Sequence, residues 1–121
     1  MADHNILGKK GEELAKQFLL ENAYRIRHLN WRYKKTEIDI IAEKNNLLVV
    51  VEVKTRTNDY FENPKEAVTL KKQKNIIDTT EAYIENFNVD LEVRFDIISI
   101  TFENGQEKIE HIQDAFQAGL Y

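Results

Sequence analysis

Two runs of aliphatic and β-branched residues, separated only by Lys44-Asn45-Asn46, constrain the fold more than any other feature of this sequence. The runs, residues 37–43 and 47–54, have the composition of β-strands. Asparagine tolerates the positive φ angles that a two-residue hairpin turn requires. The pattern therefore predicts an antiparallel hairpin whose register is set by its turn.

The register of this hairpin predicts which side chains share a face. Asp39 should lie opposite Glu52, and Glu37 should lie opposite Lys54. Because successive side chains alternate between the two faces of a strand, these four ionisable groups should project from the same face of the sheet. The other face should be lined by the apolar residues Ile38, Ile40, Val51 and Val53.

Two carboxylates that face each other across a strand pair repel, so something must offset their charge. Mg²⁺ (or Mn²⁺) does so directly, since it prefers oxygen ligands and is often held by one or two carboxylates. Lys54, close after Glu52 in the sequence, could then orient an attacking water or stabilise charge on a phosphate. The alternative is an exposed hairpin with a Glu37–Lys54 ion pair worth at most ~1 kcal/mol. Spacing alone slightly favours this alternative.

The remaining periodicity predicts an α/β domain. Apolar residues recur at helical spacing over residues 6–22, and Glu12 lies at the edge of the buried stripe. Asn63 and Pro64 resemble an N-cap and a first-turn proline, and they predict a helix that continues to about residue 86. Further strands are expected at residues 24–31, 91–101 and 108–112. The predicted order is one helix, three strands, one helix and two strands.

The length and composition are those of one domain. The 121 residues, 42% of them hydrophobic and 31% charged, are enough for one core and too few for two. The longest apolar run is strand-sized, far short of the roughly 18 residues that span a bilayer, and the first residues do not resemble a signal peptide. We therefore expect a cytoplasmic protein with no membrane partner. The chain has no cysteine, so any metal must use oxygen or imidazole ligands, and its histidines follow no ligand spacing.

Basic residues are concentrated in two segments of an acidic chain. The net charge of −4 argues against a protein that simply coats nucleic acid. Residues 25–35 nevertheless carry five arginines and lysines and no acidic residue, and a second cluster follows at Lys71, Lys72 and Lys74. Each cluster alone is equally compatible with a solvated surface, whereas the two together indicate an anionic partner. Trp31 and Tyr33 lie within the first cluster and could stack on a splayed base; such aromatics more often belong to the core, and they are left unassigned.

An ordered set of motifs along the chain resembles a known family. The matching segments are Gly8-x-x-Gly11-Glu12-x-x-Ala15, Asn30-x-Arg32, Glu37-Ile38-Asp39, Val51-Glu52-Val53-Lys54-x-Arg56, Pro64-x-Glu66-Ala67-Val68, Lys72, Arg94-Phe95-Asp96 and Ala115-Phe116. Together they cover nearly the whole chain. The sequence resembles the YraN-like family of uncharacterised, endonuclease-like bacterial proteins. That family belongs to the PD-(D/E)XK nuclease superfamily and is similar to archaeal Holliday junction resolvases.

The resemblance implies a restriction-endonuclease-like α/β fold, with a mixed sheet of about five strands flanked by helices, in one domain over residues 1–121. It implies that Asp39 and Glu52 bind the metal and that Lys54 is the catalytic lysine. Glu12 matches an acidic residue that related resolvases contribute from their first helix, as a metal ligand or a support of the site. One departure is Thr36, where the family commonly has glycine. The sequence itself is silent on oligomeric state, but resolvases act as dimers, and a homodimer would suit a symmetric junction.

Four further polar residues are candidates for contact with nucleic acid. Gln73 or Lys72 could serve the site, as a glutamine or lysine on this helix does in many members of the superfamily. An ordinary amide at a helix boundary is an equally good interpretation of Gln73. Arg56 and Arg32 are expected to contact phosphate of the nucleic acid, and the alternative is an ordinary exposed arginine.

The function expected from these features is Mg²⁺-dependent hydrolysis of phosphodiester bonds in nucleic acid. DNA is the expected partner and branched DNA is one candidate substrate, but the sequence alone does not separate DNA from RNA or branched from linear substrates. The rival is a nucleic-acid-binding module that keeps the fold without chemistry, within a repair or uptake assembly. The paired carboxylates favour the enzyme, because a pure binder has no reason to direct two carboxylates at phosphate. A third alternative, a structural interaction domain with a charged hairpin, requires a different hairpin register.

Overall fold

The computed structural model describes residues 2–57 and 64–119 as a five-stranded sheet with a helix packed on each face. In chain order the elements are α1 (Ala2–Glu21), β1 (Arg25–Tyr33), β2 (Thr36–Lys44), β3 (Leu47–Thr57), a short 3-10 helix (Pro64–Ala67), α2 (Leu70–Phe87), β4 (Glu92–Glu103) and β5 (Gln106–Phe116). The predicted α/β class and element order are confirmed. Among the described residues, no helix combines the length and apolar character that crossing a membrane requires.

The strands lie side by side in chain order, and the sheet is mixed. β1, β2 and β3 form antiparallel pairs, as do β4 and β5, whereas β3 and β4 are parallel. A parallel pair needs a long crossover connection, and the segment that contains α2 provides it. β3 is the third of the five strands in this order and hence the central one. Its residues Leu48 to Val51 are buried on both faces.

The core has two layers, one under each helix. The layer under α1 contains Ala15, Leu19, Ile40, Val49, Val51, Ile98 and Ile100. The layer under α2 contains Ile38, Ile41, Leu48, Val50, Ile76, Ile77, Tyr83 and Ile97. The two lists alternate along β3, as the period of a strand requires.

Gly11 allows α1 to approach the sheet closely. A Cβ atom at this position would collide with the side chain of Thr55 on β3. Only glycine leaves the space that this contact needs. The next residue, Glu12, is half-buried while Glu13 is exposed, which confirms the predicted orientation of the helix.

The second long helix begins later than the sequence predicts. Asn63 lies outside the described residues, and Pro64 begins the separate 3-10 helix instead of α2. α2 begins at Leu70, after Thr69, whose hydroxyl accepts a hydrogen bond from the backbone N–H of Lys72 at 3.2 Å. Proline fits the first turn of either kind of helix, so the Asn-Pro pair could not distinguish the short helix from the long one.

The predicted hairpin turn is confirmed. Asn45 and Asn46 have φ angles of 51° and 63°. The predicted register between β2 and β3 is also confirmed, and it continues from the turn to the pair formed by Ile40 and Val51. The ladder ends there, before it reaches Asp39.

The pairing of β1 with β2 contains an irregularity that the sequence analysis missed. Asn30, in the middle of β1, has a φ of 51°. On either side of it, Leu29 pairs with Ile40 and Trp31 pairs with Ile38, yet Ile40 packs under α1 and Ile38 packs under α2. The prediction that Ile38 shares a face with Ile40 is therefore wrong. The paired strands change face between the Leu29–Ile40 and Trp31–Ile38 pairs, where Asn30 has its left-handed conformation.

Candidate active site

β2 and β3 separate beyond the Ile40–Val51 pair, and the candidate site lies at this fork. From there β2 continues alongside β1, and β3 continues alongside β4. The carboxylate of Asp39 accepts a hydrogen bond from the backbone N–H of Val53 at 2.8 Å. A side chain thus replaces the backbone acceptor that a continued ladder would supply. The fork directs Asp39 toward β3.

Glu52 is the buried carboxylate at the fork. Only 4% of this residue is exposed. Its Oε2 atom lies 3.4 Å from the Nζ atom of Lys72 on α2, whereas its Oε1 atom has no hydrogen-bond partner among the described residues. A buried carboxylate oxygen without a partner is costly, since transfer out of water removes its hydration without replacement.

The two carboxyl groups of the fork destabilise each other's charged forms. Burial, followed by the charge of Glu52, raises the pKa of Asp39 to about 8. Burial also raises the pKa of Glu52, although Lys72 and Lys54 oppose the shift. Without a cation, the pair is therefore not fully ionised at neutral pH. A divalent cation would remove that penalty, because it stabilises both carboxylates.

Two lysines complete the polar side of the fork. Burial and a hydrogen bond with Lys72 lower the pKa of Lys54. Burial opposes a rise in the pKa of Lys72, but the hydrogen bond with Lys54 and the charge of Glu52 raise it nonetheless. Lys54 is therefore the more readily deprotonated amine of the two, and Lys72 carries the charge that Glu52 faces.

Glu12 and Glu37 are joined on the α1 side of the fork by one amide group. Asn30 Nδ2 donates to Glu12 Oε1 and to Glu37 Oε1, each at 2.9 Å. Arg32 Nη2 lies 3.4 Å from the other oxygen of Glu37. The prediction that Glu37 shares a face with Glu52 and opposes Lys54 is therefore wrong. Its physical cause is the change of face at Asn30, which turns Glu37 toward α1.

Glu12 is close enough to Asp39 for its charge to raise the pKa of that carboxyl group. The structure nevertheless does not assemble a site with three protein ligands. Within residues 2–57 and 64–119, no three acidic or histidine side chains are grouped so that they could hold one ion. Asp39 and Glu52 are thus the pair that the fork brings together, and Glu12 acts on Asp39 through its charge.

The remaining predicted residues differ in position. Arg56 is half-buried, and the alternation of β3 places it on the α2 side with Glu52 and Lys54. Arg32 remains 63% exposed despite its contact with Glu37. The side-chain amide of Gln73 donates to the carbonyl of Val68 at 3.0 Å, a contact that holds the segment between the 3-10 helix and α2.

Part of the predicted basic segment is engaged in contacts within the protein. Arg25 and Arg27 both pair with Glu43, at 2.6 and 2.9 Å, and Arg27 also donates to the hydroxyl of Tyr83 at 3.0 Å. The exposed lysines of this segment, Lys34 and Lys35, lie at the turn between β1 and β2. The cation-rich surface is therefore concentrated at the end of the first hairpin.

Asn30 is the residue of the site that sequence reasoning did not identify. It was noted only as part of a motif, and neither its left-handed conformation nor its contact with Glu12 follows from local spacing. Asparagine inside a strand otherwise rich in aromatic and basic residues is the signal that could have revealed it, because asparagine tolerates a positive φ.

The family model and the relatives that match this chain all point to one family. The model of the Uncharacterised protein family UPF0102 matches residues 11–100, which include the fork, Glu12 and both lysines. The chain belongs to the UPF0102 family. The UPF0102 protein of Phocaeicola vulgatus is 53% identical over 121 residues and the one of Bacteroides thetaiotaomicron is 50% identical over 121 residues, each with 100% of both chains covered. The UPF0102 protein of Christiangramia forsetii is 50% identical over 116 residues, with 96% of this chain and 98% of the relative covered.

Membership of UPF0102 confirms the family resemblance that the motifs suggested. The chain and these relatives correspond along almost their whole lengths. The family is described as uncharacterised, and this description names no substrate and no reaction. The chemistry of this UPF0102 protein must therefore be argued from the fork itself.

Proposed function

We propose that this UPF0102 protein is a Mg²⁺-dependent nuclease of the PD-(D/E)XK type, which hydrolyses phosphodiester bonds in nucleic acid at the fork between β2 and β3. One observation carries the proposal: the buried carboxylate of Glu52 has an oxygen without a partner, beside a second carboxyl group whose pKa is raised to about 8. This arrangement costs stability unless a ligand compensates for it, and such costly groups are common at functional sites.

The side chains present fit a divalent cation such as Mg²⁺. The fork offers carboxylate oxygens of Asp39 and Glu52, the hard donors that Mg²⁺ prefers, and this ion commonly needs only one or two protein carboxylates. The absence of a three-residue group within the described part of the chain is compatible with that number. When bound, the ion would supply charge neutralisation and polarise a phosphate oxygen.

Lys54 is the group proposed to act on the attacking water. Its lowered pKa makes the neutral amine more accessible than in an exposed lysine, so Lys54 can accept a hydrogen bond or a proton from water. Lys72 stays charged beside Glu52 and supports this state of Lys54 by donating to it. The two lysines are thus proposed to have different tasks, one toward the water and one toward the carboxylate.

The proposed reaction is a single displacement at phosphorus. A water oxygen forms a bond to phosphorus and gives its proton to the Lys54 amine, while the bond from phosphorus to the ester oxygen breaks and the leaving oxygen takes a proton from solvent. The products are a phosphate monoester end and a hydroxyl end. Arg56 and Arg32 are proposed to contact the phosphates on either side, since arginine matches phosphate geometry.

Glu12 and Asn30 are proposed to position Asp39. Glu12 raises the pKa of Asp39 through its charge, and Asn30 holds Glu12 in place from β1. Gln73, whose amide nitrogen is committed to Val68, has no proposed task at the phosphate beyond keeping the start of α2 in place.

The test is a cleavage assay with linear, supercoiled and branched DNA and with RNA, in Mg²⁺, Mn²⁺ or EDTA. We expect cleavage that is lost in EDTA and reduced at least ~100-fold in Glu52→Gln and Lys54→Met, since even residues that only support metal ligands are worth 10- to 100-fold. Glu110→Gln and Lys108→Met, on the exposed part of β5, are the matched controls and should cleave normally.

The rival function is a binding module of the same fold that performs no chemistry. Binding of every substrate without cleavage in either metal would establish it and overturn the nuclease. Substitution of Glu52 by glutamine separates the two as well. If the protein is a pure binder, Glu52→Gln should bind nucleic acid more tightly than the parent, because a carboxylate facing phosphate has been removed. If it is a metal-dependent nuclease, Glu52→Gln should bind no more tightly than the parent in Mg²⁺ and should no longer cleave.

A further inference from the structure

Two parallel aromatic rings lie at the end of the hairpin formed by β1 and β2. The rings of Trp31 and Tyr33 are inclined by only 3° to each other, with centroids 6.3 Å apart. Trp31 is fixed from the other side by Tyr83, whose ring meets it edge-on at 5.1 Å, and by Phe87 at 6.3 Å. The inner ring is therefore anchored in the core, and Tyr33, 38% exposed, continues it to the surface.

One cationic side chain lies against the outer ring, and two more adjoin it in the sequence. The Nζ atom of Lys34 lies 5.3 Å from the centroid of Tyr33, within the range of a cation–π contact. Lys34 and Lys35 form the exposed turn that follows, and Arg32 is mostly exposed. The acidic residue in this neighbourhood, Glu37, already accepts from Asn30 and Arg32. An isolated exposed tyrosine would need no explanation. An anchored aromatic pair flanked by lysines fits a nucleotide, because the rings can stack on its base and the lysines can attract its phosphate.

The aromatic pair lies at the same end and on the same face of the sheet as Glu52. β2 runs antiparallel to β3, and Ile40 pairs with Val51, so the β2 residues before Ile40 run toward the end of β3 that carries Lys54. Trp31 pairs with Ile38 and packs into the layer under α2. Lys72, which contacts Glu52, is on the same helix as Tyr83. The two residues are roughly 16 Å apart along the helix axis, a span of a few nucleotides.

We propose that Trp31 and Tyr33 bind an unpaired base a few nucleotides from the phosphate that is cut, so that the substrate is nucleic acid with unpaired nucleotides near the cleavage position. A base within a duplex is stacked between its neighbours and cannot reach a protein ring without leaving the helix. Single-stranded tails, gaps and loops present such bases directly. This inference rests on the proposed nuclease function for the phosphate, but its binding step needs no metal and no cleavage.

The test uses the fact that Trp31 is the only tryptophan of the chain. The Glu52→Gln variant of the full chain is titrated in EDTA with an oligothymidylate, with a duplex of equal length, and with an abasic strand of equal charge. We expect quenching of Trp31 fluorescence by the oligothymidylate, and binding at least about 10-fold tighter than to the duplex or the abasic strand, because one stacked base contributes about a factor of 10.

Variants at Tyr33 separate stacking from charge. Tyr33→Ala should weaken binding of the oligothymidylate by about 10-fold and leave duplex binding unchanged, whereas Tyr33→Phe should bind like the parent. Leu29→Ala is the matched control, because Leu29 is an exposed apolar residue of the same strand on the opposite face. Equal affinity for all three ligands, or an unchanged affinity in Tyr33→Ala, would overturn the proposal.

The outcomes separate this inference from the nuclease proposal. Wild-type protein that cuts duplex and single-stranded DNA equally in Mg²⁺, with no effect of Tyr33→Ala, would be a nuclease without the aromatic site. Tight, Tyr33-dependent binding of single strands by a wild-type protein that cuts nothing would leave the aromatic site in place and reject the nuclease.

Discussion

The sheet buries carboxylates at two places, and the two places are built in opposite ways. Asp96, on the α1 side of β4, is fully buried and accepts hydrogen bonds from both ends of the Arg94 guanidinium at 2.8 and 2.9 Å. His111 Nε2 lies 2.8 Å from it, and the backbone N–H of Asp114 donates at 3.0 Å. Burial opposes ionisation, yet His111 and Arg94 hold the pKa of Asp96 below its ordinary value.

At the fork between β2 and β3 the pKa values shift in the opposite direction. Asp39 and Glu52 face each other's charge, and their pKa values are raised. One oxygen of Glu52 has no partner among the described residues. The Asp96 network is complete within the chain and needs nothing further, whereas the fork is electrostatically incomplete. The difference assigns Asp96 to the fold and supports the proposal that the fork binds a cation.

The largest expected effect is on stability and comes from the Asp96 network. Asp96→Ala leaves Arg94 without its buried partner and should lower the free energy of unfolding by ~3 to 5 kcal/mol. The measurement is urea unfolding followed by circular dichroism, with exposed Asp90→Ala as the control. A loss below ~1 kcal/mol, within the range of a surface pair, would contradict the structural role given to this network.

The second expected effect concerns the link between Glu12 and Asp39. Asn30→Gly keeps the positive φ but removes the amide that holds Glu12, so cleavage and the apparent affinity for Mn²⁺ should fall ~10- to 100-fold, as for other groups that orient metal ligands. The free energy of unfolding should change far less than in Asp96→Ala. Asn86→Gly, at an exposed position in the last turn of α2, controls for the loss of an asparagine side chain. It should retain both the cleavage rate and the Mn²⁺ affinity of the parent.

The third effect is a dependence of stability on pH that Asp39 should cause in EDTA. Its pKa is about 8 in the folded chain and about 3.9 in an unfolded one, so the folded state holds the extra proton between these values. Stability should therefore fall as the pH rises from about 4 to about 8. Asp39→Asn should remove at least ~1.4 kcal/mol of this fall, the value of one pKa unit. Parallel pH profiles of the two proteins would show that Asp39 ionises normally.

The smallest expected effect again belongs to the Asp96 network. Tyr24→Phe removes the hydroxyl that accepts from Arg94 at 2.7 Å and should cost ~0.5 to 1.5 kcal/mol of stability, the usual contribution of one hydrogen bond. Cleavage by Tyr24→Phe should match that of the parent, because the network lies across the sheet from Glu52. Reduced cleavage at unchanged stability would show that the two regions are coupled.

The fold was predictable because its main signals are local. The Asn45-Asn46 turn, the apolar runs of β3 and β4, and the periodicity of α1 each predicted the correct element, and the hairpin register was correct as far as Ile40. The start of α2 was wrong because two helices follow one another, and the cap of the second, Thr69, carries no stronger local signal than the Asn-Pro pair.

The candidate site was predictable only in part. Asp39, Glu52 and Lys54 do converge, but not by continued strand alternation, because the ladder ends before Asp39. The left-handed Asn30 changes the face of Glu37 and Ile38 in a way that depends on pairing with β1 and on α1. Lys72 reaches Glu52 from a separate helix. Contacts of this kind depend on tertiary packing, and the spacing of charges along one strand cannot report them.

The most direct test of the central claim is a crystal structure of the protein soaked in Mn²⁺ at pH 8, with anomalous scattering measured at the manganese edge. We expect one anomalous peak at the fork, within about 2.2 Å of an oxygen of Asp39 and of Oε1 of Glu52, as hard-cation coordination requires. The peak should be absent in Glu52→Gln and unchanged in Tyr24→Phe. No peak at the fork at saturating Mn²⁺, or an ion coordinated by other residues, would contradict the proposal that Asp39 and Glu52 bind a divalent cation.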